Sequence, residues 1–292
     1  MRVTNGSITA RVLANLQRNV ARSGKIQEQL SSGKQIARPS DSPTGTLTAL
    51  QLRGEMRVTQ QYSRNADDGM SWLSVLDDTL SGSLSQINRA RDLAIQSQSG
   101  AATPLSREAM AVEVDNIRES LIGAANTTYL GRPVFGGTTT GGVAYDSAGV
   151  YQGDDGAVLR TVGSNAQVRV AEDGRDVFGP DGSNIFAVLA DISDGLRNND
   201  VTKLHAGMDN LSAAGDLIKS TLSDVGARYN RVSQMHDTAE DRLVTLKSQL
   251  SDVEDIDLPQ TIMEMQLQQT AYQAALAATA KVIQPSLIDY LR

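Results

Sequence analysis

Gln29-Leu-Ser-Ser-Gly-Lys-Gln-Ile-Ala-Arg-Pro-Ser-Asp-Ser-Pro43 stands between two apolar-periodic stretches near the front of the chain. Its glycine, prolines and serines are residues that end helices and set turns. Gly33 can take the left-handed conformation that closes a helix. Pro39 lacks a backbone N–H and pushes Arg38 out of the helical region. Ser40, Asp41 and Ser42 can each cap a helix on the downstream side, and Pro43 suits its first turn. The stretch therefore reads as a break with caps, and its meaning depends on the segments at either side.

Upstream, residues 7–32 read as one helix. Ile8, Val12, Leu16 and Val20 lie four apart and are followed by Ile26 and Leu30, with Arg11, Gln17, Arg18 and Arg22 opposite. So thin a stripe makes a marginal helix in isolation. Downstream, a helical pattern runs from Thr44 to a stop at Ser99-Gly100. Leu73, Leu76, Leu80, Leu84, Ile87, Arg91 and Ala94 step by three and four, the spacing of a coiled-coil seam. Thr103 and Pro104 open a further helix carrying Met110, Val114, Ile117, Leu121 and Ala125. The short connection implies an antiparallel hairpin.

From Gly131 to Asn184 the composition turns to glycine and β-formers. Pro133–Phe135, Val143–Tyr145, Val150–Tyr151, Ala157–Val162, Gln167–Val170 and Asp176–Phe178 are predicted as short strands between turns. Helix returns over 185–198. A long stretch then carries Leu217, Leu222, Val225, Tyr229, Val232, Met235, Ala239, Leu243, Leu246, Leu250 and Val253. Pro259 interrupts it, and a last helix has Ile262, Met265, Gln269, Tyr272, Leu276, Thr279 and Ile283 as its seam. Leu287 and Leu291 extend the apolar series past Pro285.

The expected fold is mainly α with a small β-rich insertion, and both termini build a long antiparallel helical bundle or coiled coil. Five segments are expected: an assembly helix and hinge over 1–43, a helical hairpin over 44–130, a β-rich domain over 131–184, return helices over 185–258, and a second assembly helix over 259–292. The assembly surface is expected on Ile8, Val12, Leu16, Val20, Ile26, Leu30, Ile262, Met265, Tyr272, Leu276, Ile283, Leu287 and Leu291. Gly33, Pro39, Asp41, Pro43 and Pro259 are its hinge and caps. The terminal helices are expected to order on assembly.

Composition excludes several functions. The net charge of −7 comes without a basic block, which argues against nucleic acid. No apolar run is long enough for a membrane span, and the first residues lack the apolar core of a secretory signal. The chain has no cysteine, hence no disulfide, thiolate metal site or cysteine nucleophile. His205 and His236 have no companion at ligand spacing. Asp252, Glu254, Asp255 and Asp257 lack the glycine turn of a calcium loop. Gly136-Gly137 starts no phosphate loop, and Trp72 reads as core beside Leu73. No catalytic residue, cofactor or metal is expected.

The break also carries a resemblance. Gln29–Ile36 with Pro39–Pro43, Asn65 with Ser71-Trp72-Leu73, Ala124–Thr127 and Gly131–Gly137 resemble the N-terminal signature of the bacterial flagellin family, and Ser286–Leu291 resembles its C-terminus. Within that family, Met1-Arg-Val-Thr4, the Pro39-Ser-Asp-Ser-Pro43 segment and the Asp289-Tyr-Leu-Arg292 ending resemble the subunits at the hook–filament junction rather than filament flagellin. The resemblance implies a structural, non-enzymatic flagellar subunit that joins hook-associated protein 1 to flagellin and self-associates in a ring-like junction layer. It further implies an export chaperone on the C-terminal helix, passage through the flagellar type III apparatus without a cleaved signal, and an extracellular location. The alternatives are a short filament flagellin and a secreted adhesin that uses the β insertion.

Overall fold

The structure, a computed structural model, describes residues 5–98, 103–140 and 142–283, with side chains from 10 to 280 within those ranges. The expected stop at Ser99-Gly100 and the positions Leu287 and Leu291 lie outside the described residues, as do the side chains of Ile8 and Ile283. Helices dominate: α1 (Asn5–Ser32), α2 (Pro43–Ser97), α3 (Pro104–Ala125), a five-residue α4 (Gly174–Phe178), α5 (Ile185–Asn198), α6 (Val201–Glu254) and α7 (Leu258–Ile283). Two antiparallel hairpins supply the strands, β1 (Thr128–Tyr129) with β2 (Arg132–Pro133) and β3 (Leu159–Gly163) with β4 (Ala166–Arg169).

Helix ends follow local chemistry. Thr103 accepts from the Ser106 N–H, Asn184 from Ala187, and Asp200 from Thr202 and Lys203. Asn199 closes α5 in the left-handed conformation.

The chain forms two compact units. One spans Val58–Arg242, and the other gathers the two chain ends, Met1–Arg57 and Leu243–Arg292. The boundaries fall inside α2 and α6.

In the 58–242 unit, α2 buries Leu73, Leu76, Leu80, Ile87, Ala90 and Ala94. Ala90 takes the place expected for Arg91, which is exposed, because an unpaired guanidinium is costly to bury. The expected α6 stripe holds at Val225, Val232 and Ala239, which are buried. It departs at Leu217, exposed beside the buried Ile218, and at Tyr229, also exposed, and Leu204 and Leu211 extend the stripe toward the helix start. Trp72 is core, as its periodic setting predicts. The insertion holds less strand than expected. Asp176–Phe178 belongs to α4, capped by Asp173, and Val143–Tyr145 and Val150–Tyr151 meet in a single bridge between Tyr145 and Tyr151. An aromatic nucleus does the work of a longer sheet. All three phenylalanines of the chain, Phe135, Phe178 and Phe186, are buried there, and the Tyr145 ring lies 4.9 Å from Phe186 and 5.8 Å from Phe178.

Two charged clusters fasten this insertion to the long helices. Arg160 on β3 places Nε 2.5 Å from Asp68 Oδ2, and its guanidinium lies 5.4 Å from the Trp72 ring centre. The Tyr129 hydroxyl donates to the same carboxylate. After β4, the buried Glu172 accepts from Arg228 of α6, with Arg169 at 3.9 Å.

Candidate functional site

The proline-flanked break does not stand alone. Gly33, at φ +70, ends α1 with its N–H on the Gln29 carbonyl, 2.8 Å away. The chain then runs antiparallel to the end of α6. The Gln35 N–H donates to the Glu254 carbonyl at 2.6 Å, and the Ile256 N–H donates to the Gly33 carbonyl at 3.1 Å. The two breaks that interrupt the helices, more than two hundred residues apart in sequence, are thus joined by one antiparallel bridge, at the place expected for the hinge. Side chains close it. Lys34 Nζ lies 2.5 Å from Asp255 Oδ1 and 3.6 Å from Glu254 Oε2, and Arg53 reaches Glu254 at 2.8 Å. Glu254 is buried, so these cations offset its loss of water. The Lys34 ammonium and then the Ser251 hydroxyl hold the Asp255 carboxyl below the usual carboxylate range.

The expected caps divide their roles. Ser42 accepts from the Gly45 N–H at the start of α2, where Pro43 is the first helical residue. Asp41 turns back instead, accepting from Lys25 Nζ at 3.0 Å and from the Arg38 N–H at 2.9 Å. Both bonds, Lys25 first, lower its pKa. Pro39 is exposed in the turn between. Pro259 sits in the first turn of α7, where its missing N–H costs nothing, and Asp257 caps that turn through the Gln260 N–H. A Cβ added at Gly33 would meet open space, but the φ there is positive. Gly33→Ala is therefore expected to cost about 1 kcal/mol through backbone strain alone, read as faster amide exchange of Gln35 and Ile256.

Beyond the hinge, α1 and α7 pair antiparallel, with the Gln268 side chain donating to the Asn19 carbonyl at 3.2 Å. Val12, Leu16, Asn19, Ser23, Ile26 and Leu30 turn inward on α1. Thr261, Met265, Gln268, Tyr272, Ala275 and Thr279 do so on α7. Both sets alternate steps of four and three, a heptad seam. Of the expected surface, Val12, Leu16, Ile26, Leu30, Met265 and Tyr272 lie in this seam. Val20, Ile262 and Leu276 do not, being 54 %, 42 % and 44 % exposed. Successive four-residue steps advance by about 400°, so a stripe written that way rotates off the contact. Asn19, Thr261 and Ala275 take those places, polar or small residues that do not mark an apolar stripe. Lys34, Arg53 and Asp255 were equally hidden, because their pairing is set by the backbone bridge.

Among the described residues no group of three or more His, Cys, Asp or Glu could hold a metal ion, and no helix is long and apolar enough to cross a membrane. The arrangement offers two paired helices on a hinge, with apolar side chains left on their outer faces. These include Leu13, Val20, Met263, Leu267 and Leu276.

Comparison with known proteins agrees with this layout. The model of the bacterial flagellin N-terminal helical region matches residues 3–140, and that of the bacterial flagellin C-terminal helical region matches residues 208–291. Flagellar hook-associated protein 3 of Salmonella typhimurium is 25 % identical, over 94 % of this chain and 95 % of that protein. Its Escherichia coli counterpart is 26 % identical, over 87 % and 88 %. Flagellin of Bacillus subtilis is 23 % identical over 97 % of both chains. Among solved structures, Bacillus cereus FlgL superposes with a TM-score of 0.62 at 21 % identity, covering 69 % of this chain and 99 % of that one. The flagellar junction protein FlgL of Legionella pneumophila gives 0.58 at 15 % identity, covering 71 % and 99 %.

Proposed function

This chain belongs to the bacterial flagellin family, and we propose that within it the chain is the structural subunit that joins hook to filament. The observation that carries the reading is likeness along nearly the whole length to hook-associated protein 3 of two organisms. The terminal helix pair supports it, since its outer apolar side chains suit packing into a larger assembly. Hook-associated protein 1 would lie on one side and flagellin on the other, with copies of this chain forming a ring-like layer between them. Segments 1–43 and 259–292 would be the assembly helices and 131–184 the outward part. An export chaperone would cover α7 before passage through the flagellar type III apparatus to the cell exterior. The role is mechanical, not catalytic.

Deleting the gene should leave hooks without filaments and release unpolymerised flagellin into the medium, both visible by electron microscopy and immunoblotting. Normal filaments on the deletion strain would overturn the junction role. The end-to-end match to Bacillus subtilis flagellin favours a second reading, a short filament subunit. In that case flagella isolated from the wild type would carry this chain along their whole length.

A further inference from the structure

We propose that the turn between β1 and β2, tipped by Leu130, docks in the groove between α2 and α6 of a second copy of this chain, with Arg132 beside the tip facing Asp77 at the rim of the groove. This contact rests on the reading that the chain assembles with itself, and it lies wholly in the 58–242 unit. The β1–β2 hairpin has a two-residue turn, because Tyr129 pairs with Arg132. Its central residues, Leu130 and Gly131, have φ of +49 and +76. Such turns favour Asn-Gly, since a bulky side chain is strained at positive φ. Among the described residues the one other side chain at positive φ is Asn199, a residue type that tolerates it. Leu130 is also 80 % exposed, so nothing within the chain compensates for the strain. The hairpin is held firmly beneath it. The Tyr129 ring lies 5.1 Å from the Trp72 ring, its hydroxyl donates to Asp68, and the Val134 N–H donates to the Thr127 carbonyl at 3.0 Å. An apolar tip fixed in this way loses little freedom when a partner covers it.

The groove that fits the tip runs between α2 and α6. Leu73 and Val225, both fully buried, form its floor, and Tyr229, 40 % exposed, forms one wall. Ser74 and Asp77 form the other, around a space of about 250 Å³. Gly226 lines the same space, and no atom lies within 4 Å of where its Cβ would stand. A glycine inside a helix costs stability relative to alanine. Packing within the chain does not require this one, whereas the close approach of a second backbone does.

Tip and groove cannot meet within one chain. Asp68, which holds the hairpin, and Asp77, at the groove, are nine residues apart on α2. That is about two and a half turns, so they stand on opposite sides of the helix and about 14 Å apart along it. Copies set side by side, with a shift along α2 on the order of 10 Å, bring the tip of one to the groove of the other. Charge favours the same pairing. Arg132 donates to the Thr138 carbonyl and enters no ion pair among the described residues, and Asp77 enters none either. Tip, cation, groove and anion all belong to one unit, so a row of identical copies satisfies each of them. The two contacting patches differ, so the contact is heterologous and repeats from copy to copy, as a ring requires.

Strains making wild-type and variant chains together provide isolated flagella in which the two compete, and mass spectrometry counts them. Leu130→Asn suits the turn better, so the purified variant should melt at or above the wild-type temperature, yet its share of the incorporated chain should fall about tenfold. Gly226→Leu, whose side chain would occupy the groove, should fold and be under-represented to a similar degree. Leu130→Met, which keeps the apolar tip, should compete as the wild type does. The chain has no cysteine, so a copy carrying both Leu130→Cys and Ser74→Cys reports the contact directly. A short bis-maleimide should join such copies into a ladder in isolated flagella, and copies with either cysteine alone should stay monomeric. Leu130→Asn competing evenly, a lowered melting temperature that accounts for its loss, a dimer formed through Leu130→Cys alone, or flagella that contain the double-cysteine chain without a ladder each overturns the docking while leaving the junction role intact. Absence of the wild-type chain from flagella overturns both.

Discussion

Replacing Arg228 with methionine lowers the unfolding free energy by about 3 kcal/mol near neutral pH and by much less near pH 5. The reason lies in Glu172. Its side chain is 6 % exposed, and burial raises its pKa above the ordinary carboxylate value although Arg228 and then Arg169 oppose the shift. Asp224, beside Arg228, adds to the rise. A raised folded pKa means that the folded state prefers the protonated group. The penalty for ionised Glu172 is absent below the unfolded value of about 4.3, grows as pH rises toward the folded value, and is constant above it. Removing Arg228 moves the folded value higher still, so the deficit of the variant opens as pH rises through the wild-type folded value and widens until the folded value of the variant is passed. At acid pH only the small packing change of an arginine stem exchanged for methionine is left. Urea unfolding at the two pH values, followed by the fluorescence of Trp72, the one tryptophan, measures the difference. Glu172→Gln added to the variant should recover most of the loss at neutral pH. A deficit equal at both pH values would show that the ion pair is not the link that fastens the insertion to α6.

That cluster marks a limit of sequence reading. The helices were legible because their seams repeat on a three–four step, and their ends because Thr103 and Pro43 carry capping chemistry locally. Phase was less legible. Arg91 for Ala90, Leu217 for Ile218 and Val20 for Asn19 are each off by one residue, because a neighbour of similar period competes and only the packed partner decides. The insertion was harder still. Its strands are two to five residues long, and its order comes from rings that converge from Phe135, Tyr145, Phe178 and Phe186, a convergence no local period encodes. The hinge shows both cases at once. Gly33 announced its left-handed turn, whereas its partner strand at Glu254–Ile256 lies at the far end of the chain and gave no signal beyond Pro259.

Leu276→Asp should leave the isolated protein folded and abolish its incorporation into flagella. The side chain is 44 % exposed and lies off the α1–α7 seam, where Ala275 and Thr279 face inward. Its loss from the monomer should change stability by only about 0.5 kcal/mol, mostly helix propensity. Assembly is a different matter. Leu276 is an apolar side chain left beside the α1–α7 seam, and a neighbouring helix that covers it must strip water from whatever stands there. An unpaired carboxylate at that place costs upward of about 3 kcal/mol, or more than a hundredfold in occupancy at each contact. The loss compounds around a closed ring, because every copy repeats it. Leu276→Met, which keeps the apolar volume, should incorporate as the wild type does. The readout is immunoblotting of isolated flagella together with the thermal midpoint of the purified protein. A Leu276→Asp chain found in flagella at wild-type level would place this face against solvent in the assembly. A variant that misfolds as a monomer would instead place Leu276 in the intramolecular seam, against its exposure in the folded chain.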